Sequence, residues 1–202
     1  MHSLICGTTE CGKSTLAEVL VDRWVSRKWA RGPVVIVSRY VMCHNKKVTN
    51  LSLGDAIIWA QRNINALIVI DDAGGQLDRH DPGHIWLGTE SRHYGHNVVF
   101  VVQRPTMLAP TIRHQCEMLY MFLLAENDRK TLAIDFCHED ILRMQPPKKY
   151  EFDIVRRFNP VFRWKLVQDV QDDKWREVPV FAGDYVKPDA PPETLTRYQK
   201  LK

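Results

Sequence analysis

"ICGTTECGKST", residues 5–15, decides how the rest of the chain is read. A glycine at position 7, four intervening residues and then Gly12-Lys13-Ser14 is the pattern of a loop that wraps nucleotide phosphates. The pattern needs a strand before it and a helix after it, and both are legible. "SLIC" (3–6) has strand length, and Leu16, Val19, Leu20 and Trp24 recur at helical spacing from Lys13 onward. In that setting the loop N–H groups and the helix N-terminus point at a β-phosphate, with the helix dipole adding positive potential. Gly7, Thr8, Thr9, Glu10, Cys11, Gly12, Lys13, Ser14 and Thr15 are the expected nucleotide contacts. Lys13 would reach the β- and γ-phosphates, Ser14 would ligate Mg²⁺ and Thr15 would support the α-phosphate. A chance glycine-rich turn is the competing reading, and it leaves the flanking strand and helix unexplained.

A second stretch completes the first. "ALIVIDD" (66–72) is an apolar strand that ends in two acids, and parallel sheets place their ligand groups at the carboxyl ends of strands. Asp71 is the candidate to hold Mg²⁺ through water, and Asp72 the candidate general base that polarises the attacking water. The plain alternative for Asp72 is a turn residue ahead of Ala73-Gly74-Gly75. A third stretch, "NVVFVVQ" (97–103), ends another apolar strand on Gln103. If that strand neighbours "LIVIDD", the Gln103 amide reaches the γ-phosphate and the water.

Around these stretches short β-branched runs alternate with helical ones. "PVVIVS" (33–38), "EMLYMFLLA" (117–125) and "KYEFDIV" (149–155) read as strands; "LGDAIIWAQRNI" (53–64) and "HEDILRM" read as helices, with a further helix within 82–93. Strands that are apolar throughout, rather than alternating, imply a mostly parallel α/β sheet covered by helices on both faces. The expected core is 1–156. Residues 157–186 read as a C-terminal β-hairpin around Asp172-Asp173-Lys174, and 187–202 as a proline-rich, extended tail.

Composition narrows the class without deciding it. At 202 residues, 45% hydrophobic and 26% charged, the chain suits one soluble domain. A net charge of +4 permits an anionic partner but is too small to require one. No apolar run reaches the roughly 18–20 residues of a membrane span, and no leader precedes the loop, so a cytosolic protein without its own anchor is expected. The five cysteines show no C-x-x-C pairing and read as reduced thiols. Cys43-His44 and Cys137-His138 match no zinc spacing, and Pro82 between His80 and His84 argues against a helical metal pair.

The segment Arg92-His93-Tyr94-Gly95-His96-Asn97, the strand Val98 to Val102, and then Gln103-Arg104-Pro105 resembles the HerA/FtsK superfamily of DNA-pumping P-loop ATPases. With the short chain and the Asp71-Asp72 ending, it is most similar to the genome-packaging ATPases of tailless, membrane-containing viruses. The resemblance spans roughly residues 3–155. It implies a RecA-like P-loop NTPase fold, ATP and Mg²⁺ as ligands, and a homo-oligomeric, hexameric ring with active sites between subunits. An arginine from the neighbour would then stabilise charge on the γ-phosphate. Arg92 and Arg113 are the candidates, with Arg104 behind them; a further arginine of the FtsK type near the next strand is missing, since that strand reads "MLYMF". For each arginine a surface ion pair or a DNA phosphate contact is the plain alternative.

The implied partners are double-stranded DNA, held by its backbone without sequence preference, and capsid vertex or portal components. The implied location is the host cytoplasm or the packaging vertex of the virion. Lys46-Lys47 and Lys148-Lys149 are the visible basic pairs, and either could be a solvated face. A small nucleotide kinase would need an arginine-bearing lid, for which "LDRHDPGHI" offers one arginine, and leaves Gln103 unexplained. A GTP switch lacks its Asn-Lys-x-Asp reader, since "HNKKV" has no aspartate. A filamentous-phage assembly or extrusion ATPase has a similar core but usually a membrane span after it.

Overall fold

Uninterrupted runs such as Val34–Val37, Leu67–Ile70 and Asn97–Val102 can satisfy their backbone only by pairing with one another, and their side chains can leave water on both faces at once. The computed structural model describes residues 1–26, 32–38, 48–157, 159, 161–169 and 174–180. Along the chain run β1 (His2–Cys6), α1 (Lys13–Ser26), β2 (Val34–Val37), β3 (Val48–Asn50), α2 (Leu53–Arg62), β4 (Leu67–Ile70), α3 (Ala73–Gln76) and α4 (Pro82–Thr89). They are followed by β5 (Asn97–Val102), α5 (Pro110–Gln115), β6 (Cys116–Met121), α6 (Glu126–Asp135), α7 (Asp140–Arg143), β7 (Glu151–Arg156), β8 (Phe162–Gln168) and β9 (Trp175–Pro179).

All the strands join one sheet in the order β3-β2-β4-β5-β1-β6-β7-β8-β9. The pairs from β3 through β6 are parallel. The pairs β6-β7, β7-β8 and β8-β9 are antiparallel. Successive side chains alternate between two cores, as the period of a strand requires. Leu4, Ile68, Ile70, Phe100 and Val102 face a core shared with α2, α4, α5 and α6. Ile5, Leu67, Val69, Val99 and Val101 face the other, where α1 brings Leu16, Ala17 and Val21. The expected parallel sheet with helices on both faces is thus the observed one.

The expected C-terminal hairpin extension is present. β8 and β9 pair antiparallel, and through β7 they continue the main sheet, with Leu166 and Trp175 joining the core under α1. Arg23 of α1 pairs with Glu177 of β9 at 2.9 Å, with the carboxylate side chain only 1% exposed. The proline-rich tail, Cys43-His44 and Lys46-Lys47 lie outside the described residues. Four elements escaped the periodicity reading, among them the six-residue α5. β3 is only three residues long, and α3 is the glycine-rich Ala73–Gln76. α6 buries Asp128, Arg129 and Asp135 along with Leu132 and Ala133, so its inward face carries charge as well as apolar side chains.

At the amino ends of the central strands two buried histidines act as neutral staples. His2 Nδ1 accepts from Val98 N at 3.2 Å; His96 Nδ1 accepts from Ala66 N at 3.1 Å while its Nε2 reaches Ala60 O at 2.9 Å. Burial, with the N-terminus, Arg92 and His96 nearby, lowers the His2 pKa to about 4, and burial lowers that of His96. Both therefore take protons more readily in the unfolded chain. The His2 contribution to stability is complete above the ordinary value of 6.5 and is lost as pH falls toward about 4, and that of His96 likewise declines below 6.5. His2→Asn keeps an acceptor without that titration. It should flatten the fall in unfolding free energy across this window, about 3 kcal/mol, in urea titrations; a slope equal to that of the parent chain would assign the acid sensitivity elsewhere.

Candidate active site

The loop after β1 is shaped by what lies behind it. Phe122 N donates to Cys6 O at 2.9 Å and Thr8 N to Leu123 O at 3.0 Å, so the end of β6 holds the first residues of the loop. A Cβ at Gly7 would stand 2.5 Å from Phe122 Cβ, so only glycine passes there. Gly12 has φ +109°, a conformation that turns the chain into α1 and that side chains rarely adopt. Lys13 Nζ folds back onto Thr8 O at 2.6 Å, which keeps the ammonium inside the curve of the loop. Cys11 is buried within the curve, and desolvation raises its thiol pKa, so it is an inert packing group there.

The carboxyl edge of the sheet brings the other expected groups to this loop. β5 lies between β1 and β4, with Cys6 beside Val102 and Ile70 beside Phe100. Gln103 therefore emerges level with Gly7 and within one strand spacing, about 4.8 Å, of the strand that ends in Asp71 and Asp72. Its side chain is exposed. Asp71 Oδ1 accepts from Ser14 Oγ at 3.4 Å and Oδ2 from Ser38 Oγ at 3.3 Å, while Gln76 Nε2 donates to Asp71 O at 2.5 Å. Two hydroxyls and a carboxylate are hard oxygen donors of the sort Mg²⁺ takes alongside substrate phosphates, so Ser14 and Asp71 fit that ion.

Asp72 adopts φ 51°, ψ 44° at the start of α3, and its side chain makes no capping hydrogen bond there. Aspartate is among the residues that tolerate the left-handed region, so this conformation is compatible with the turn-residue reading. The carboxylate lies over Gly75, where a Cβ would stand 2.7 Å from Asp72 Oδ2. Ser38 was missed in the sequence, although it ends an apolar strand on a polar residue just as Gln103 does.

The arginines separate by position. Arg113 is buried in α5: Nε pairs with Asp135 at 2.6 Å, and Nη1 donates to Leu108 O at 2.6 Å and Pro105 O at 3.2 Å. With side-chain exposure of 8% it cannot be presented to a neighbour, which corrects its candidacy as the finger. Arg104 is 61% exposed but forks onto the buried Asp128 at 3.1 and 3.3 Å. Arg92 is exposed and donates to Gln115 Oε1 at 2.7 Å. It precedes β5, so it sits at the amino edge of the sheet, about 17 Å of strand away from the loop of its own chain. Lys148 and Lys149 are exposed beside the start of β7.

Residues 28–134, just over half of the 202-residue chain, match the family described as Zonular occludens toxin (Zot). The chain belongs to the zonular occludens toxin family. Asp71, Asp72, Arg92 and Gln103 lie inside the matched stretch, and the phosphate loop precedes it. No curated protein matches the chain. Among solved structures this family member is similar to B204, the DNA-packaging ATPase from Sulfolobus turreted icosahedral virus: 17% identity and TM-score 0.65, over 80% of this chain and 95% of that one. It is also similar to the genome packaging NTPase B204 from Sulfolobus turreted icosahedral virus 2 in complex with ATP-γ-S, at 15% and 0.62 over the same shares. The Thermomonospora curvata EccC (ATPases 2 and 3) in complex with a signal sequence peptide follows at 12% and 0.61, covering 88% of this chain and 37% of that one. At these identities the likeness is one of fold. The P-loop NTPase fold of the packaging ATPases, expected from the sequence, is the fold of this Zot-family chain.

Arg113→Ala should lower stability by about 2–4 kcal/mol, because it leaves buried Asp135 with only His114 at 2.9 Å and unpairs the Pro105 and Leu108 carbonyls, whereas Arg92→Ala should stay within about 0.5 kcal/mol. Denaturant midpoints check both, and equal effects would undo the division between a buried brace and an exposed surface arginine.

Proposed function

We propose that this chain is an ATP-hydrolysing motor that moves double-stranded DNA, and that its task is to package a viral genome into a preformed capsid. The observation that carries the hydrolytic part is the placement of β5 between β1 and β4, which sets Gln103 between the phosphate loop and the two aspartates. Lys13 would exchange Thr8 O for the β- and γ-phosphate oxygens. Asp72, free of any capping role, would accept hydrogen bonding from the attacking water, and the Gln103 amide would orient that water. Ser14 and Asp71 would hold Mg²⁺, which, when bound, offsets phosphate charge. Adenine as the base follows from the resemblance and from the missing guanine reader.

Arg92 lies too far from its own loop to act in cis, so a finger role for it requires a neighbouring copy. The homo-oligomeric ring, a hexamer, is what the resemblance implies. DNA contacts would be to the backbone, since a pump tolerates every sequence. The ring would work in the host cytoplasm or at the virion vertex, against capsid or portal components. No helix among the described residues is long and apolar enough to cross a membrane. The kinase reading relied on Arg79, which donates to Thr106 O at 3.4 Å, and it gives Gln103 no work. A second reading, an assembly or extrusion ATPase of a filamentous phage, shares every residue of this site, and the matched family is not named for packaging.

ATP hydrolysis at low salt, with and without DNA, tests the proposal. Double-stranded DNA of any sequence should stimulate turnover, salt should weaken the stimulation, Lys13→Ala should abolish turnover, and Asp72→Asn or Gln103→Ala should lower it about 100-fold or more while ATP still binds. Stimulation by single-stranded DNA alone would favour the second reading, and full activity of Asp72→Asn would remove Asp72 from the mechanism. Mixing Arg92→Ala with Lys13→Ala subunits tests action in trans. Each should be inactive alone and the mixture partly active, and a mixture as inactive as its parts would exclude Arg92 as the finger.

A further inference from the structure

The C-terminal strands have no part in the phosphate chemistry, yet they touch the loop. β1 separates the β4-β5 side, where Asp71, Asp72 and Gln103 stand, from β6, so a triphosphate with its γ end toward those residues would direct its ribose and base to the other side of β1. On that side lie β6, β7 and β8, and two strand spacings, about 10 Å, lead to the start of β7. Tyr150 stands there, immediately before Glu151. A Cβ built on Gly12 would meet Tyr150 Cδ1 and Leu166 Cδ1, each at 3.0 Å, so the ring lies directly against the loop.

The backbone of Tyr150 marks the position as special. Its φ is 63°, a conformation that is an outlier for a bulky residue and that persists only where the surroundings impose it, often at ligand sites. The surroundings are present: Leu166 N donates to Tyr150 O at 2.9 Å, and the Trp175 ring packs with its centroid 5.5 Å away at 37°. Lys149 Nζ stands 5.3 Å from the centre of the same ring, and Tyr150 remains half-exposed. An aromatic face held rigidly beside a phosphate loop, partly open and bordered by a cation, matches the chemistry of a nucleobase.

Resting on the reading that the loop binds ATP, we propose that Tyr150 is the platform on which the base of the bound nucleotide stacks, with Leu166 and Trp175 bracing it. The C-terminal extension then forms the base-side wall of the active site. The test measures binding to the full chain by calorimetry, with ATP and with inorganic tripolyphosphate as probes. Tyr150→Gly removes the ring at a backbone angle glycine prefers; Tyr150→Trp restores an aromatic face. ATP affinity should fall about tenfold in the glycine variant, tripolyphosphate affinity should hold, and the tryptophan variant should recover ATP binding. Unchanged ATP affinity in Tyr150→Gly would overturn the platform. Equal losses for both probes would also overturn it, making Tyr150 a support for the loop. If the parent chain bound neither probe, the ATP reading itself would fall first, and the platform with it.

Discussion

Parallel hydrogen bonding of β5 to β1 on one side and to β4 on the other is the constraint on which the site depends. Parallel strands put all their carboxyl ends on one edge, so strand pairing itself brings together the loop after Cys6, Asp71 and Asp72 after Ile70, and Gln103 after Val102, and the Ser14–Asp71 hydrogen bond then joins two of them. Their spacing is the spacing of strands, about 4.8 Å. The apolar character of β4 and β5 on both faces serves the same end, because only strands covered on both sides can occupy the middle of such a sheet.

The loop itself is held by close packing from behind and beside. Phe122 closes on Gly7, and Tyr150 and Leu166 close on Gly12. These contacts come from β6 and from the antiparallel strands beyond it, so the shape of the phosphate site depends on parts of the chain more than a hundred residues downstream. The Arg23–Glu177 pair ties α1, the helix whose N-terminus faces the phosphates, to the last of those strands. The extension is structurally part of the loop's support.

The opposite edge of the sheet has a different character. There His2 and His96 pair backbone groups as neutral imidazoles, and Arg92 projects outward beside Gln115. Arg113 shows how little sequence position says about the fate of an arginine. It lies in a segment as polar as that of Arg92, yet Asp135, presented by α6, draws it inward and uses it to pin the turn at Pro105 and Leu108.

The sequence by itself determined what repeats locally. The phosphate loop, the apolar strands and the polar residues that end them were legible because glycine spacing and strand periodicity are short-range signals. α6 was not, since its buried face carries Asp128 and Asp135, paired with Arg104 and Arg113 from other elements, and Arg129, which donates to the carbonyls of Ile141 and Met144. The adjacency of β5 and β4 could be stated only as a condition, and Ser38 went unnoticed for lack of that neighbour. Tertiary structure alone decided which arginine is buried and which is exposed, and it alone laid Tyr150 against Gly12. Both outcomes depend on which strands pair, and pairing between distant segments is set by the packing of the whole sheet rather than by any one stretch of it.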